Sequence, residues 1–374
     1  MSGLGLGIRL IAQHRTRLFA AFAGIAVAIV IMFVELGLLQ SILDSQSLIA
    51  GLVNSELVVM NRARTNLHKW NNFEPIRLNQ IAGIPGVADV VPMYQGTVGI
   101  TDPSDGTVRR ILVLAFPPED PPLDIGDRAQ LANALRMPGV VLYDRRSRPI
   151  FGRIEPGKDV TLDDALYPVA GYVDIGADIV NDGAFVMSDG TWLRSHPGAQ
   201  PIMGAIRLQK GADVESVRAA IVAAMPRDIA VFTPDEVRRR EVDFTLRAAP
   251  IGILFGIGML AGLAIGSLTC YQVLFNEIAD RLPQYATLKA MGFPNAFLRR
   301  IVLEQAVLLT LGGFVAALAI VWLVFGYIAR ATALAVQVDS VSASVVLVLA
   351  LAMSTVAGLL ALRRVVAADP AELY

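Results

Sequence analysis

The sequence predicts a membrane protein with four transmembrane α-helices and a large α+β extracytoplasmic domain inserted between the first and second. Three observations carry this. Hydrophobic residues fill 54% of the 374 positions and charged residues only 17%, against about 25% charged in a soluble globular chain; mean hydropathy is +0.55. Four apolar runs are long enough to cross a bilayer. The stretch between the first two has another composition, with frequent proline, glycine and charge.

Residues 1–17 carry Arg9, Arg15 and Arg17 and no acid. The run Leu18–Leu39 follows, with Glu35 its only charge. Its length is about 33 Å at 1.5 Å per residue, so 18–40 is assigned as the first span. Basic residues before an apolar run also open a signal peptide, but this run is longer than a signal core and no clean small-x-small site follows it. Glu35 is costly inside a bilayer. It either faces a substrate path or partner helix, or lies close enough to the outer end to reach water.

Residues 41–246 form the inserted domain. Short apolar runs predict strands at Glu56–Asn61, Val87–Pro92, Val108–Phe116, Val140–Tyr143, Ala184–Ser188, Ile202–Leu208 and Ile229–Phe232. Helices are predicted at Ile76–Ala82, Arg128–Leu135 and Ala212–Met225, the last on the spacing of Val214, Val217, Ile221 and Met225. About 200 residues can bury a core of their own, as one unit or two subdomains. Thr233, Pro234 and Glu236 form an N-cap signature for a helix running through Phe244 towards the second span.

The second span is 247–275. Gly252, Gly256, Gly262 and Gly266 give it small-xxx-small pairs, which permit close helix approach in lipid. A polar interruption follows at 276–302, then the third span at 303–325, a short outer loop at 326–340, the fourth span at 341–362 and the tail 363–374. Within the interruption Pro283 can open a short helix and Gly292 can close it in the left-handed conformation. Pro294 can open the next. Tyr285, Leu288 and Met291 recur every third residue, roughly along one face. Such a segment is either a tight solvated turn or a helix built to be gripped by another protein.

Lys and Arg near the span ends set the orientation. The N-terminus has three Arg, the interruption has Arg281, Lys289, Arg299 and Arg300, and the tail has Arg363 and Arg364, whereas the loop after the third span has only Arg330. Both termini and the interruption are therefore expected in the cytoplasm and the inserted domain outside, in a multi-pass membrane protein. Arg238–Arg240 and Arg247 argue the other way, but long translocated domains largely escape the rule.

Catalytic constellations are scarce. No G-x-x-x-x-G-K-[ST] occurs, so ATP binding by a P-loop is not expected. Gly3, Gly5 and Gly7 follow no strand. His14, His68 and His196 fit no zinc spacing. Asp189, Ser195 and His196 lack a nucleophile elbow and read as surface polar groups, and Asp159, Asp163 and Asp164 read as turn residues. Cys270 lies in an apolar run and is the single cysteine, so no intrachain disulfide forms. A net charge of −1 says nothing for nucleic acid, and neither an enzyme, a metal nor a nucleic-acid partner is expected.

Four patches carry a family resemblance. They are PIGILFGIGMLAGLAIG…YQVLFNEIADRLPQYATLKAMGF over 250–293, FPPEDPPLD at Phe116–Asp124, LYDRRSRPIFG at Leu142–Gly152 and the terminal AADPAELY at Ala367–Tyr374. Together they resemble the DevC-type permeases of ABC exporters, a branch of the MacB/FtsX-like group, over nearly the whole chain. Leu288, Lys289, Ala290, Met291 and Gly292 fill the L-[RK]-[AT]-[LMV]-G core of the wider group, and Pro283 and Tyr285 match the DevC branch. The resemblance implies a homodimeric permease subunit of the bacterial inner membrane, without a cofactor of its own, joined to a separate ABC ATPase that binds ATP and Mg. It implies that Pro283, Tyr285, Leu288, Lys289, Met291 and Gly292 form the helix that couples to this ATPase. It also implies a periplasmic adaptor protein and a TolC-type outer-membrane duct, with a lipid or amphipathic substrate by association with DevC systems. An FtsX-like subunit that controls a periplasmic hydrolase, and a lipoprotein-extracting permease, remain the alternatives.

Overall fold

The computed structural model describes residues 15–67, 71–102, 106–248, 250–332 and 336–366. The chain divides into two compact units: one holds the apolar helices, the other residues 42–249.

In the first unit four helices are long and apolar enough to cross a membrane. They are α1 (Arg15–Gln46), α8 (Ile251–Asp280), α10 (Asn295–Thr332) and α11 (Ser340–Val366), with the short α9 (Leu282–Ala290) between α8 and α10. Glycine brings them together. A Cβ on Gly266 would lie 2.6 Å from the Met353 sulfur and 2.9 Å from Ala28 Cβ, and one on Gly313 would lie 2.8 Å from Ile25 Cγ2. In lipid this close approach substitutes for the hydrophobic drive that water supplies elsewhere. The predicted glycine spacing works at Gly262 and Gly266, whereas a Cβ on Gly256 would meet nothing within 4 Å. The side chains that α8 buries form one stripe at four-residue intervals, Gly262, Gly266, Cys270, Leu274 and Ile278. Met353 and Gly358 of α11 pack on that stripe. Ile253, Leu254, Ile257 and Leu260 of α8 stay exposed, as an apolar face turned to lipid would.

The second unit is α+β, and its nine strands form one continuous hydrogen-bonded sheet in the order β3-β7-β4-β6-β5-β2-β8-β1-β9. Four of them make an antiparallel sheet, β9-β1-β8-β2, where β1 is Leu57–Asn61, β2 Val87–Thr101, β8 Met203–Leu208 and β9 Ile229–Phe232. Helix α3 (Ile76–Ala82) joins β1 to β2, and α6 (Val214–Ala224) joins β8 to β9. This is the β-α-β-β-α-β arrangement of a ferredoxin-like half. Leu78, Ile81, Val217 and Ile221 of the two helices pack against Leu57, Val59, Ile206 and Val231 of the strands.

Everything between β2 and β8 forms the other half. β2 is long enough to serve both: residues 87–93 pair with β8 and residues 94–101 with β3 (Val108–Phe116). From β3 the ring runs through β7 (Ala184–Ser188), β4 (Val141–Asp144), β6 (Ala165–Val173) and β5 (Asp159–Leu162), and closes back onto Ile100 and Thr101 of β2. Val98, Ile111, Val113, Phe185, Val160 and Trp192 belong to one core cluster of this half. Another cluster joins the halves, with Met93, Met203 and Val58 against Leu114, Phe116 and Val186. The remaining helices of the domain are α2 (Leu48–Leu52), α4 (Arg128–Leu135), α5 (Asp189–Ser195) and α7 (Pro234–Ala248).

Seven strands occupy the predicted runs, β2 reaching nine residues further than expected. β5 and β6 were not predicted. Their hairpin turns on Asp163 and Asp164, both at positive φ (43° and 66°), so these two acids are turn residues as expected, whereas Asp159, expected in a turn with them, is the first residue of β5 and pairs with Pro168. Asp163 also accepts the Gly99 amide at 2.7 Å. The capping box forms in both directions: Glu236 N–H donates to Thr233 Oγ1 at 3.3 Å, and Thr233 N–H to Glu236 Oε2 at 2.9 Å.

Candidate functional site

The polar interruption is built from the end of α8. That helix does not stop where its apolar run ends but continues through Asn276 and Glu277 to Asp280. Its last turn is held by an i,i+4 ion pair, Arg281 Nη2 to Glu277 Oε1 at 2.6 Å, with both side chains mostly buried. Arg281 caps α8, and its carbonyl accepts the amides of Gln284 and Tyr285 at 3.0 and 3.1 Å, which starts α9. Tyr285 is half-buried beside this pair; burial pushes its phenol above the ordinary range, with Arg281 acting against the shift and Glu277 with it. Thr287 Oγ1 donates to the Pro283 carbonyl at 2.9 Å.

α9 ends in a Schellman motif. Phe293 N–H reaches back five residues to the Leu288 carbonyl at 3.1 Å, and Gly292 sits at φ +88°, a conformation that a side chain disfavours. The helix starts at Leu282, one residue before Pro283, within the usual scatter of helix ends.

Of the residues singled out in the sequence, Pro283, Tyr285 and Leu288 lie on α9, and Met291 and Gly292 in the turn that ends it. They do not share one exposed face. Tyr285 turns towards Glu277 and Arg281, Leu288 is half-buried, and Met291 stands out 62% exposed, with Phe293 39% exposed next to it. The reason is geometric: a spacing of three falls short of the 3.6-residue turn, so the row drifts by about 60° per step. The side chain of Lys289 lies outside the described residues. Glu35 is elsewhere. Its carboxylate lies against Gly258, where a Cβ would approach Oε1 to 2.2 Å, about 24 residues and so about 36 Å up α8 from α9.

A second ionic cluster lies in the inserted domain, on the loop after β1. Arg64 is 2% exposed and donates to the carbonyls of Asn71 and Leu67 at 3.0 and 2.9 Å and to Asn72 Oδ1 at 3.0 Å. Helix α7 is fastened to the same loop twice. Glu241 Oε1 accepts the Leu67 amide at 2.7 Å, and Arg240 Nη2 donates to the Arg64 carbonyl at 2.9 Å. Burial dominates both titrations, raising the Glu241 carboxyl to about 7 and lowering Arg64 to about 10, each opposed by its neighbour's charge. Sequence reasoning missed this cluster, because Leu67 and Glu241 are 174 positions apart. It could have found Glu277–Arg281, whose i,i+4 spacing is plain.

Of the residues considered for hydrolysis, Ser195 Oγ and His196 Nδ1 come within 3.1 Å of each other. Ser195 Oγ also bonds the carbonyls of Thr191 and Trp192 at 3.3 and 3.1 Å, and the His196 ring stacks on Trp192 at 3.7 Å. Asp189 accepts the Gly190 amide. His14 and His68, the run Gly3–Gly7 and the tail patch Ala367–Tyr374 lie outside the described residues. Among the described residues no group of three metal-ligating side chains converges.

The model for the MacB-like periplasmic core domain matches residues 18–224, and that for the FtsX-like permease C-terminal region matches 250–370. Among solved structures, the periplasmic region of MacB from Actinobacillus actinomycetemcomitans is 12% identical with a TM-score of 0.37, covering 51% of this chain and 94% of that one. The extracellular domain of YknZ, a noncanonic ABC-type transporter from Gram-positive bacteria, is 12% identical with a TM-score of 0.35, covering 48% of this chain and 100% of that one. No curated protein matches the chain significantly.

Proposed function

This chain belongs to the MacB/FtsX-like permease family, and from that premise we propose that it is the membrane subunit of an ABC-type export system in which α9 is the element gripped by the ATPase. Membership implies a multi-pass membrane protein, an ABC ATPase partner and a dimer. The observation that carries the rest of the reading is α9 itself. A nine-residue helix, capped at Gly292 and presenting Met291 and Phe293, is hung between two long apolar helices. An exposed apolar pair on a short, rigidly terminated helix suits a partner's groove.

In this reading both termini and α9 face the cytoplasm, as the Lys and Arg distribution favours, and the inserted domain faces the periplasm. ATP hydrolysis in the partner moves α9. The motion reaches the inserted domain along α8 and α7, and that domain, with an adaptor protein and a TolC-like duct, pushes a lipid or amphipathic substrate onward. The spans support a lever better than an aqueous path, since Glu35 is the one acid within the first span's apolar run.

Co-purification tests the proposal. Solubilised full-length chain should retain an ABC ATPase together with an adaptor and a TolC-like duct. Retention of a cell-wall hydrolase or a lipoprotein chaperone in their place would replace export with signalling or extraction. Inverted vesicles lacking adaptor and duct should show no substrate uptake from the cytoplasmic side; robust uptake there would overturn the lever.

A further inference from the structure

The seam between the two halves of the inserted domain holds a cavity of about 300 Å³. The ferredoxin-like half contributes Arg64 and Asn72 to its wall; the ring of strands contributes Gln95, Thr97, Arg110 and Asn181. Among the described residues the wall contains two guanidinium groups and no carboxylate. The acids behind it are engaged elsewhere. Asp178 accepts the Val180 and Asn181 amides, both at 2.6 Å, and Asn181 Nδ2 at 2.8 Å. Glu241 holds the Leu67 amide.

Arg64 is the more telling of the two cations. A guanidinium 2% exposed has lost its water and needs either a buried counter-charge or a full set of acceptors. Its three hydrogen-bond acceptors, at Asn71, Leu67 and Asn72, are all uncharged and leave two of its five N–H donors unassigned; Glu241, the buried carboxylate whose charge acts on it, spends Oε1 on the Leu67 amide rather than on the guanidinium. Two cations that face one cavity from different subdomains also repel each other across the seam. An anion between them removes that repulsion and adds charge-assisted hydrogen bonds on both sides.

The geometry points to a binding site for a small oxyanion, a phosphate or carboxylate group, held between Arg64 and Arg110 and oriented by Asn72 and Thr97. The volume lies at the lower limit of small-molecule pockets, so it admits a free anion or a single head group and not an acyl chain. Occupancy braces the two halves against each other. It bears on the same loop that Glu241 and Arg240 fasten to α7, the helix leading to the second span.

Calorimetric titration of the detergent-solubilised full chain with inorganic phosphate, succinate and glycerol 3-phosphate tests the site without any partner. Saturable binding of at least one, at one per chain, is expected. A preference for glycerol 3-phosphate would identify a phospholipid head group as the source, and equal binding of inorganic phosphate a free anion. Arg110→Gln, at an exposed residue, should weaken binding about tenfold at unchanged melting temperature, the loss of one charge-assisted contact. Gln95→Glu, which puts into the wall a carboxylate that repels the bound anion, should weaken it further. Absence of saturable binding for all three probes overturns the proposal, as does wild-type affinity in both variants.

Discussion

Replacing Met291 by Asp isolates the proposed docking role of α9 from its folding. Fully burying a Met side chain is worth about 1.5–3 kcal/mol. Met291 is 62% exposed, so a partner that covers it recovers roughly that share, about 1–2 kcal/mol, or a factor of about 5–30 in affinity. Met291→Ala should forfeit most of this, and Met291→Asp more, because a carboxylate in an apolar groove must be desolvated without a partner. The fold should not notice. Met291 lies just beyond the last helical residue, and its amide bond to the Thr287 carbonyl, 3.0 Å, involves backbone only. The assay is the affinity of the purified ATPase for the solubilised chain, read beside the melting temperature, with Gln284→Ala, exposed on the same helix, as control. Wild-type affinity in Met291→Asp, with ATP-driven transport intact, would refute the assignment of α9 as the docking element.

Three further outcomes follow from particular contacts. The folded-state pKa of Glu241 is raised from 4.5 to about 7, so the folded chain holds this proton more tightly than the unfolded one. Stability is full below about pH 4.5 and falls as pH rises to about 7, by up to about 3 kcal/mol; Glu241→Gln should flatten that decline in melting curves, and an unchanged slope would reject it. Gly313→Val places a side chain against Ile25 Cγ2 and Cβ, at 2.8 and 3.1 Å from the new Cβ, and should destabilise the helical unit by about 1–3 kcal/mol in thermal unfolding. Thr233→Ala removes one half of the capping box that opens α7 and should cost about 1 kcal/mol, read as a lowered melting temperature.

The parts of this fold that are local were legible in the sequence. Apolar runs, the Thr233–Pro234–Glu236 cap and the Gly292 stop each depend on residues within a few positions of one another. β5 and β6 escaped because Ala165–Val173 alternates poorly, with Leu166 left 69% exposed, so a short hairpin resembled loop. The split of β2 between two subdomains escaped because nothing in Val87–Thr101 marks the change of partner at Tyr94; it is set by β8 and β3, both distant in sequence. At the candidate site, residue identity was legible but direction was not. Tyr285, Leu288 and Met291 read as one row, but a three-residue spacing drifts around the helix, which leaves Tyr285 beside the Glu277–Arg281 pair and Met291 exposed.

That pair also fixes how α9 is joined to α8. α8 is a single helix of 30 residues, about 45 Å long, and its internal hydrogen bonds make it stiff along most of that length. It ends at Pro250 and Arg281. At one end Arg281 both pairs with Glu277 and starts α9 through its carbonyl, so α9 cannot swing without disturbing a mostly buried ion pair. Beyond the other end lies α7, which Glu241 and Arg240 fasten to the 61–67 loop. Breaking a buried pair by removing one partner is far costlier than its net contribution suggests, since a charge is left stranded. Arg281 without Glu277 would be such a stranded charge, so Glu277→Gln should cost the folded chain more than the pair itself contributes, read as a lowered melting temperature.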